Sequence, residues 1–233
     1  MIRKEGKGEV RRLISLFAIL KLKEVMMRGI GKKNKGVFVT FDGPNGSGKS
    51  TLLASVARQL TFRGLEVLCT KEPTLSPLGQ FVRTGEENYR GRIFACLIAA
   101  DRYFHLENEI LPALRQGKVV LSDRYVESSL ALQRLDGLDL DFIWALNEQV
   151  YIPDLSIVLT ASVEVLEGRL SLRSRLSRFE RTKSRKNELK YYLEAAEFLS
   201  ARGFNVFFLD NGITSLDQNV ELTIQEIAIL LDL

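Results

Sequence analysis

Five short runs punctuate the chain, each mainly apolar and rich in β-branched or aromatic residues: Val37–Phe41, Glu66–Thr70, Val119–Ser122, Leu155–Thr160 and Asn205–Leu209. Such runs, with little polar alternation, are what strands buried on both faces require. Longer stretches of helical pattern separate them. They follow Gly48 and run from Leu78 to Arg83, Arg92 to Arg115, Ser128 to Gln133 and Asp141 to Val150. Others run from Val163 through an arginine-rich region, from Glu188 to Arg202 and from Ser215 to Leu231. Alternation of this kind predicts an α/β fold, a parallel β-sheet of about five strands flanked by helices. A chain of 233 residues without an internal repeat fits one such domain.

The first strand runs straight into Gly43-Pro44-Asn45-Gly46-Ser47-Gly48-Lys49-Ser50-Thr51, which matches G-x-x-x-x-G-K-[ST] with a helix-compatible run behind it. That strand, loop and helix context is the one a P-loop needs. Glycines at 43, 46 and 48 let backbone N–H groups converge on phosphate oxygens, so residues 43 and 45–51 are the expected ATP-binding loop. Lys49 is expected to neutralise the β/γ-phosphates and Ser50 to ligate Mg²⁺. The third run ends in Asp123, a carboxylate placed like that of a Walker-B strand and the second expected metal ligand. The fold class narrows to the P-loop NTPase fold.

Composition changes the picture in two respects. Residues 1–35 hold eleven Lys/Arg and three Glu, whereas residues 36–233 hold 22 basic and 26 acidic side chains. The basic balance therefore belongs to an N-terminal extension, and the domain at 36–233 is not expected to bind nucleic acid or membrane. The uncharged run Leu13–Leu20 is too short to span a bilayer, which takes about 20 apolar residues. Three readings of the extension stay open: an amphipathic docking helix, a flexible basic tail, or sequence upstream of the true start, with Met26 and Met27 nearby. Two cysteines, Cys69 and Cys96, and a single histidine, His105, supply neither a zinc site nor a disulfide framework, and suit a reducing, cytoplasmic setting.

Six further motifs follow in order: Lys71-Glu72-Pro73, Ala100-Asp101-Arg102 with His105, Asp123-Arg124-Tyr125 with Ser128, Ala131-Leu132-Gln133, Pro153-Asp154-Leu155 and Arg178-Phe179-Glu180. Together with the P-loop they resemble the thymidylate kinases over residues 36–233. The resemblance implies a mobile arginine-rich lid, about 167–187, and transfer of the γ-phosphate of ATP to dTMP with Mg²⁺. It also implies a homodimer. Arg83 and Arg124 match the arginines that hold the acceptor's phosphate, and Arg102 the one that reaches the thymine carbonyl. Ser128 and Gln133 match polar residues around the base, and Glu72 an acidic residue near metal and acceptor. Guanidinium forks suit a phosphate dianion. Of the lid arginines, Arg173 and Arg178 are the first expected donors to the transferring group, ahead of Arg169 and Arg175, several of them sharing a helix face.

Four positions depart from the family pattern. Asn45 stands where the loop commonly carries an acid, Ile98 where an aromatic residue stacks on the base, Leu132 where a tyrosine is usual and Ser177 where an aspartate often precedes the lid arginine. Phe94, one helical turn before Ile98, is a candidate substitute for the stacking ring. Base and sugar selectivity are therefore expected to be looser than phosphoryl transfer itself. Two alternatives remain beside a dTMP kinase: a kinase of another nucleoside monophosphate such as dUMP, and a non-catalytic nucleotide-binding paralogue.

Overall fold

The computed structural model describes residues 36–181 and 184–233. The basic extension at 1–35 lies outside the described residues, as do positions 182 and 183 of the expected lid.

Five strands form one sheet in the order β2-β3-β1-β4-β5, all parallel: β1 Val37–Asp42, β2 Val67–Lys71, β3 Val119–Asp123, β4 Leu155–Thr160 and β5 Val206–Asp210. The helices are α1 Lys49–Phe62, α2 Pro77–Gly85, α3 Gly91–His105, α4 Leu111–Arg115, α5 Val126–Leu135, α6 Leu140–Ala145, α7 Val163–Ser171, α8 Arg185–Ser200 and α9 Leu216–Leu231. This is the expected α/β architecture. Central strands are the most apolar because helices cover both of their faces. On β1, Val37, Val39 and Phe41 point to a core shared with Leu52 and Val56 of α1 and Ile224 and Ile227 of α9. Phe38 points the other way, toward Ile110, Tyr125, Leu130 and Leu199. Its ring meets Tyr125 edge-on at 5.1 Å, a preferred aromatic geometry.

The chain leaves β1 for β2 and β3 on one side and later returns to β4 and β5 on the other. A crevice opens at the carboxyl ends of strands where such a reversal occurs. Register puts Phe41 of β1 beside Asp123 of β3, so the loop after β1 and the carboxylate ending β3 share that crevice.

Three expected helices differ from the sequence reading. The run Arg92–Arg115 is interrupted by a π-helical turn at Leu106–Ile110, just ahead of Pro112, whose missing N–H breaks the regular ladder. The helix expected over Asp141–Val150 stops at Ala145, where the buried Asn147 turns its amide into the protein and donates to the Ile143 carbonyl at 2.7 Å. The arginine-rich run is not helical past Ser171; residues 172–181 form turns, bends and irregular backbone. Like charges one turn apart repel on a helix. Here Arg169, Arg173, Arg178 and Arg181 each find a separate oxygen partner instead of sharing a face.

Candidate active site

The loop after β1 is a backbone cradle whose glycines are fixed by space as well as by dihedral angle. Gly43 has φ 133°, and a Cβ there would sit 2.2 Å from the Leu159 carbonyl oxygen. Gly48 has φ 95° where the loop becomes α1, and a Cβ would sit 2.4 Å from the Asn211 amide. Residues 45, 46, 48, 49, 50 and 51 line a cavity of about 120 Å³ together with Asp123, Arg124, Arg173 and Glu180. Lys49 is buried and donates to the Gly43 and Pro44 carbonyls at 2.8 and 2.9 Å. Burial, and then the Arg124 guanidinium, lower its pKa to about 7 despite the nearby carboxylates. Ser50 hydrogen-bonds to Asp123. A hydroxyl and one carboxylate, side by side at the mouth of a phosphate cradle, form a hard-oxygen pair of the kind that holds Mg²⁺ along with substrate phosphates.

A second cavity, of about 320 Å³, adjoins the first. Glu72, Arg83, Ile98, Arg102, Arg124, Ser128 and Gln133, the seven residues expected around an acceptor, all line it. Asn45, Asp123, Arg124 and Glu180 line both cavities.

Arg124 holds the junction. It follows β3 with φ 80°, a conformation uncommon for a residue with a side chain and one that collects at functional sites. Its guanidinium donates to Asn45 Oδ1 at 2.6 Å, to Ser128 Oγ at 3.0 Å and to the Tyr192 hydroxyl at 3.1 Å. Burial opposes its charge, yet the Tyr192, Asp123, Asp42 and Glu188 oxygens outweigh burial and keep it firmly protonated. Asp42, at the end of β1, accepts from the Tyr125 N–H at 2.7 Å and from Ser128, tying the loop after β3 to the P-loop strand. Burial raises the Asp42 pKa.

Deeper in the same cavity, Arg102 is 1% exposed and donates to Glu72 at 2.8 Å, to the Tyr125 carbonyl at 3.0 Å and to Asn147. Glu72 resists burial because Arg102 and His105 hold its carboxyl below the usual range. His105 sits between Glu72 at 3.3 Å and Glu109 at 3.2 Å; burial works against its charge, but the two carboxylates raise its pKa to about 9. Arg83 folds onto the Pro73 carbonyl at the cavity's edge. Gln133 donates to Ser129 at 3.3 Å, and its buried carbonyl oxygen has no partner among the described residues. The aromatic surface is supplied by Phe94 and by Phe179 of the lid, with ring centroids 6.1 Å apart.

The lid arginines divide. Arg173 lines the P-loop cavity and pairs with Glu180. Arg178 does not line the P-loop cavity; it is paired with Asp136 at the end of α5 and lies over Phe179 at 4.1 Å. Arg169 reaches beneath the loop to the Gly46, Ser47 and Asn211 carbonyls, at 3.3, 3.4 and 2.7 Å. Arg175 is exposed. Sequence reasoning missed Asp42 and gave no site role of its own to Phe179, read only within a motif, or to Tyr192, Arg185, counted only among the lid arginines, and Glu188. Asp42 was findable, as the acid that closes an apolar strand just ahead of Gly43. The last three sit in a charged helix with nothing to set them apart from a solvated face.

A family model described as thymidylate kinase matches residues 41–207. A protein of Pyrococcus horikoshii described as a probable thymidylate kinase is 38% identical over 174 residues, covering 70% of this chain and 84% of its own. Another so described, from Caldivirga maquilingensis, is 40% identical over 149 residues, covering 62% and 73%. A thymidylate kinase of Clostridium novyi is 36% identical over 147 residues, covering 59% and 72%.

Proposed function

The chain belongs to the thymidylate kinase family, and from that premise we propose that it moves the γ-phosphate of ATP onto dTMP across the junction between the two cavities. The observation that carries this reading is the sharing of Asn45, Asp123 and Arg124 by both cavities, one walled by the P-loop and the other by guanidinium groups. An oxygen of the acceptor's phosphate attacks the γ-phosphorus. The bond from that phosphorus to the β–γ bridging oxygen breaks, and its electron pair leaves with ADP. The attacking phosphate is already ionised near neutrality, so no side chain has to take a proton from it. What the protein supplies is alignment and positive charge. Lys49 leaves its carbonyl partners for the polyphosphate, Arg124 and Arg83 hold the acceptor's phosphate, and Arg173 is the lid arginine best placed to exchange Glu180 for the transferring group. Arg178, with Phe179, latches the lid to α5. Ser50 and Asp123 would hold Mg²⁺, which would supply charge neutralisation of the phosphates. The base lies against Ile98, Phe94 and Phe179 and within reach of Arg102, Ser129 and Gln133.

Ile98 and Leu132 on the cavity wall favour a second acceptor beside dTMP. Neither offers the ring that the family pattern places there, so dUMP or a ribonucleotide is rejected less sharply than a wholly aromatic site would reject it. An ADP-release assay with Mg-ATP and dTMP, dUMP, dCMP, dGMP, AMP and thymidine separates the readings. Turnover with dTMP and dUMP is expected; turnover with AMP or thymidine in preference, or with no acceptor, contradicts the assignment.

Residues 36–233 form the catalytic domain of a homodimer in this reading. Ile93, Cys96, Ala100 and Phe104 recur at helical spacing on α3 and are exposed. Such a stripe supports pairing of two copies along α3. Among the described residues no helix is long and apolar enough to cross a membrane, and a cytoplasmic location is proposed.

A further inference from the structure

The first turn of α8 carries a buried ion pair that the phosphoryl-transfer chemistry does not use. Arg185 is 4% exposed and Glu188 is fully buried, and the two side chains are paired. Each has a second set of contacts. Arg185 donates to the backbone carbonyls of Phe179 and Glu180 in the lid. Through its Oε1, Glu188 accepts from the backbone N–H of Asn45 at 2.7 Å and from the Asn45 side-chain amide at 2.9 Å.

These contacts settle which way Asn45 faces. A carboxylate can only accept, so the amide NH₂ must point at Glu188, and a guanidinium can only donate, so the carbonyl oxygen must point at Arg124. The observed 2.6 Å bond from Arg124 to Asn45 Oδ1 is that arrangement. Asn45 and Arg124 are both wall residues of the two cavities, where donor and acceptor meet.

We propose that Glu188 is a positioning residue for the acceptor site: it orients Asn45 so that Asn45 holds Arg124 at the junction, and through Arg185 it ties this orientation to the lid backbone at Phe179 and Glu180. The P-loop has no acid of its own at position 45, and α8 supplies the charge from behind. The inference rests on the reading of Arg124 as the acceptor-phosphate arginine.

Glu188→Gln tests it, because glutamine keeps the size but cannot accept from Asn45 on one oxygen and from Arg185 on the other. Steady-state kinetics of the full chain with Mg-ATP and dTMP should show the dTMP KM raised about tenfold, the scale of one lost charge-assisted bond, with the ATP KM changed less than about twofold by the same reasoning. Asn45→Ala removes the same side-chain link from the P-loop side and should likewise raise the dTMP KM, which keeps the test decisive if Glu188→Gln folds poorly. The double variant Asn45→Asp with Glu188→Gln moves the carboxylate into the loop, beside Arg124, and should recover most of the dTMP KM, an outcome no general loss of stability produces. Unchanged dTMP KM in Glu188→Gln and Asn45→Ala, or equal losses for both substrates with no recovery in the double variant, overturns the inference. Arg124→Ala is the control for the site itself: if it leaves the dTMP KM unaltered, the acceptor-site reading fails, whereas a large effect of Arg124→Ala beside a null effect at Glu188 rejects the positioning role alone.

Discussion

Lys49 is an ammonium group kept in an unfavourable place until a ligand arrives. Burial and Arg124 bring its pKa down to about 7, while two backbone carbonyls occupy its protons. Polyphosphate reverses the balance, since its negative charge favours the protonated amine. At pH 8 the free protein holds Lys49 mostly neutral, so ATP binding is expected to take up approaching one proton, about the difference linkage requires. Calorimetry in buffers of differing ionisation enthalpy measures that uptake, and Lys49→Ala should abolish it while lowering kcat by roughly 10² to 10³, as removal of a preorganised charge does. Uptake unaffected by the substitution would place the proton elsewhere. Lys49, Ser50 and Asp123 were legible in the sequence because the chemistry fixes both residue type and spacing. Glu188 was not: among Arg185, Lys186, Asn187 and Lys190 it looks like any acid on a solvated helix, and only the packing of α8 against the P-loop gives it a role.

Elements were legible where burial set the pattern and illegible where partners did. The five strands lie within a residue or so of the positions that apolar content predicts, because both faces of the central ones are covered. The lid defied helical periodicity because its arginines are held by acids from α5, from the α2–α3 connection and from the lid itself. Non-local pairing of that kind leaves no periodic trace. The π-helical turn after α3 was equally invisible, yet it lies where Glu109 meets His105 from one side and Glu72 meets it from the other. A histidine pKa raised to about 9 in the folded state stabilises the fold fully below 6.5, and that contribution is lost as pH rises through about 9. The melting temperature of the protein should therefore exceed that of His105→Gln at pH 6 and converge on it above 9. A difference that stays constant across this range would mean that His105 is held neutral.

At the scale of the whole molecule, strand order makes the active site. Because β1 lies between β3 and β4, the P-loop and the loop after β3 open into one crevice, and α3 and α5 wall the acceptor side. The outer face of α3 is left apolar. Ile93→Glu with Phe104→Glu should turn a dimer into a monomer by light scattering without unfolding it, since both side chains are exposed; a monomeric parent protein would remove the proposed interface. Both cavities belong to one chain, so each copy is expected to carry a complete site. The most direct test follows ATP radiolabelled at its γ-phosphate in the presence of dTMP. The account predicts that the label appears in dTDP and that Arg124→Ala suppresses this transfer; label released as free phosphate, or transfer undiminished in Arg124→Ala, would contradict it.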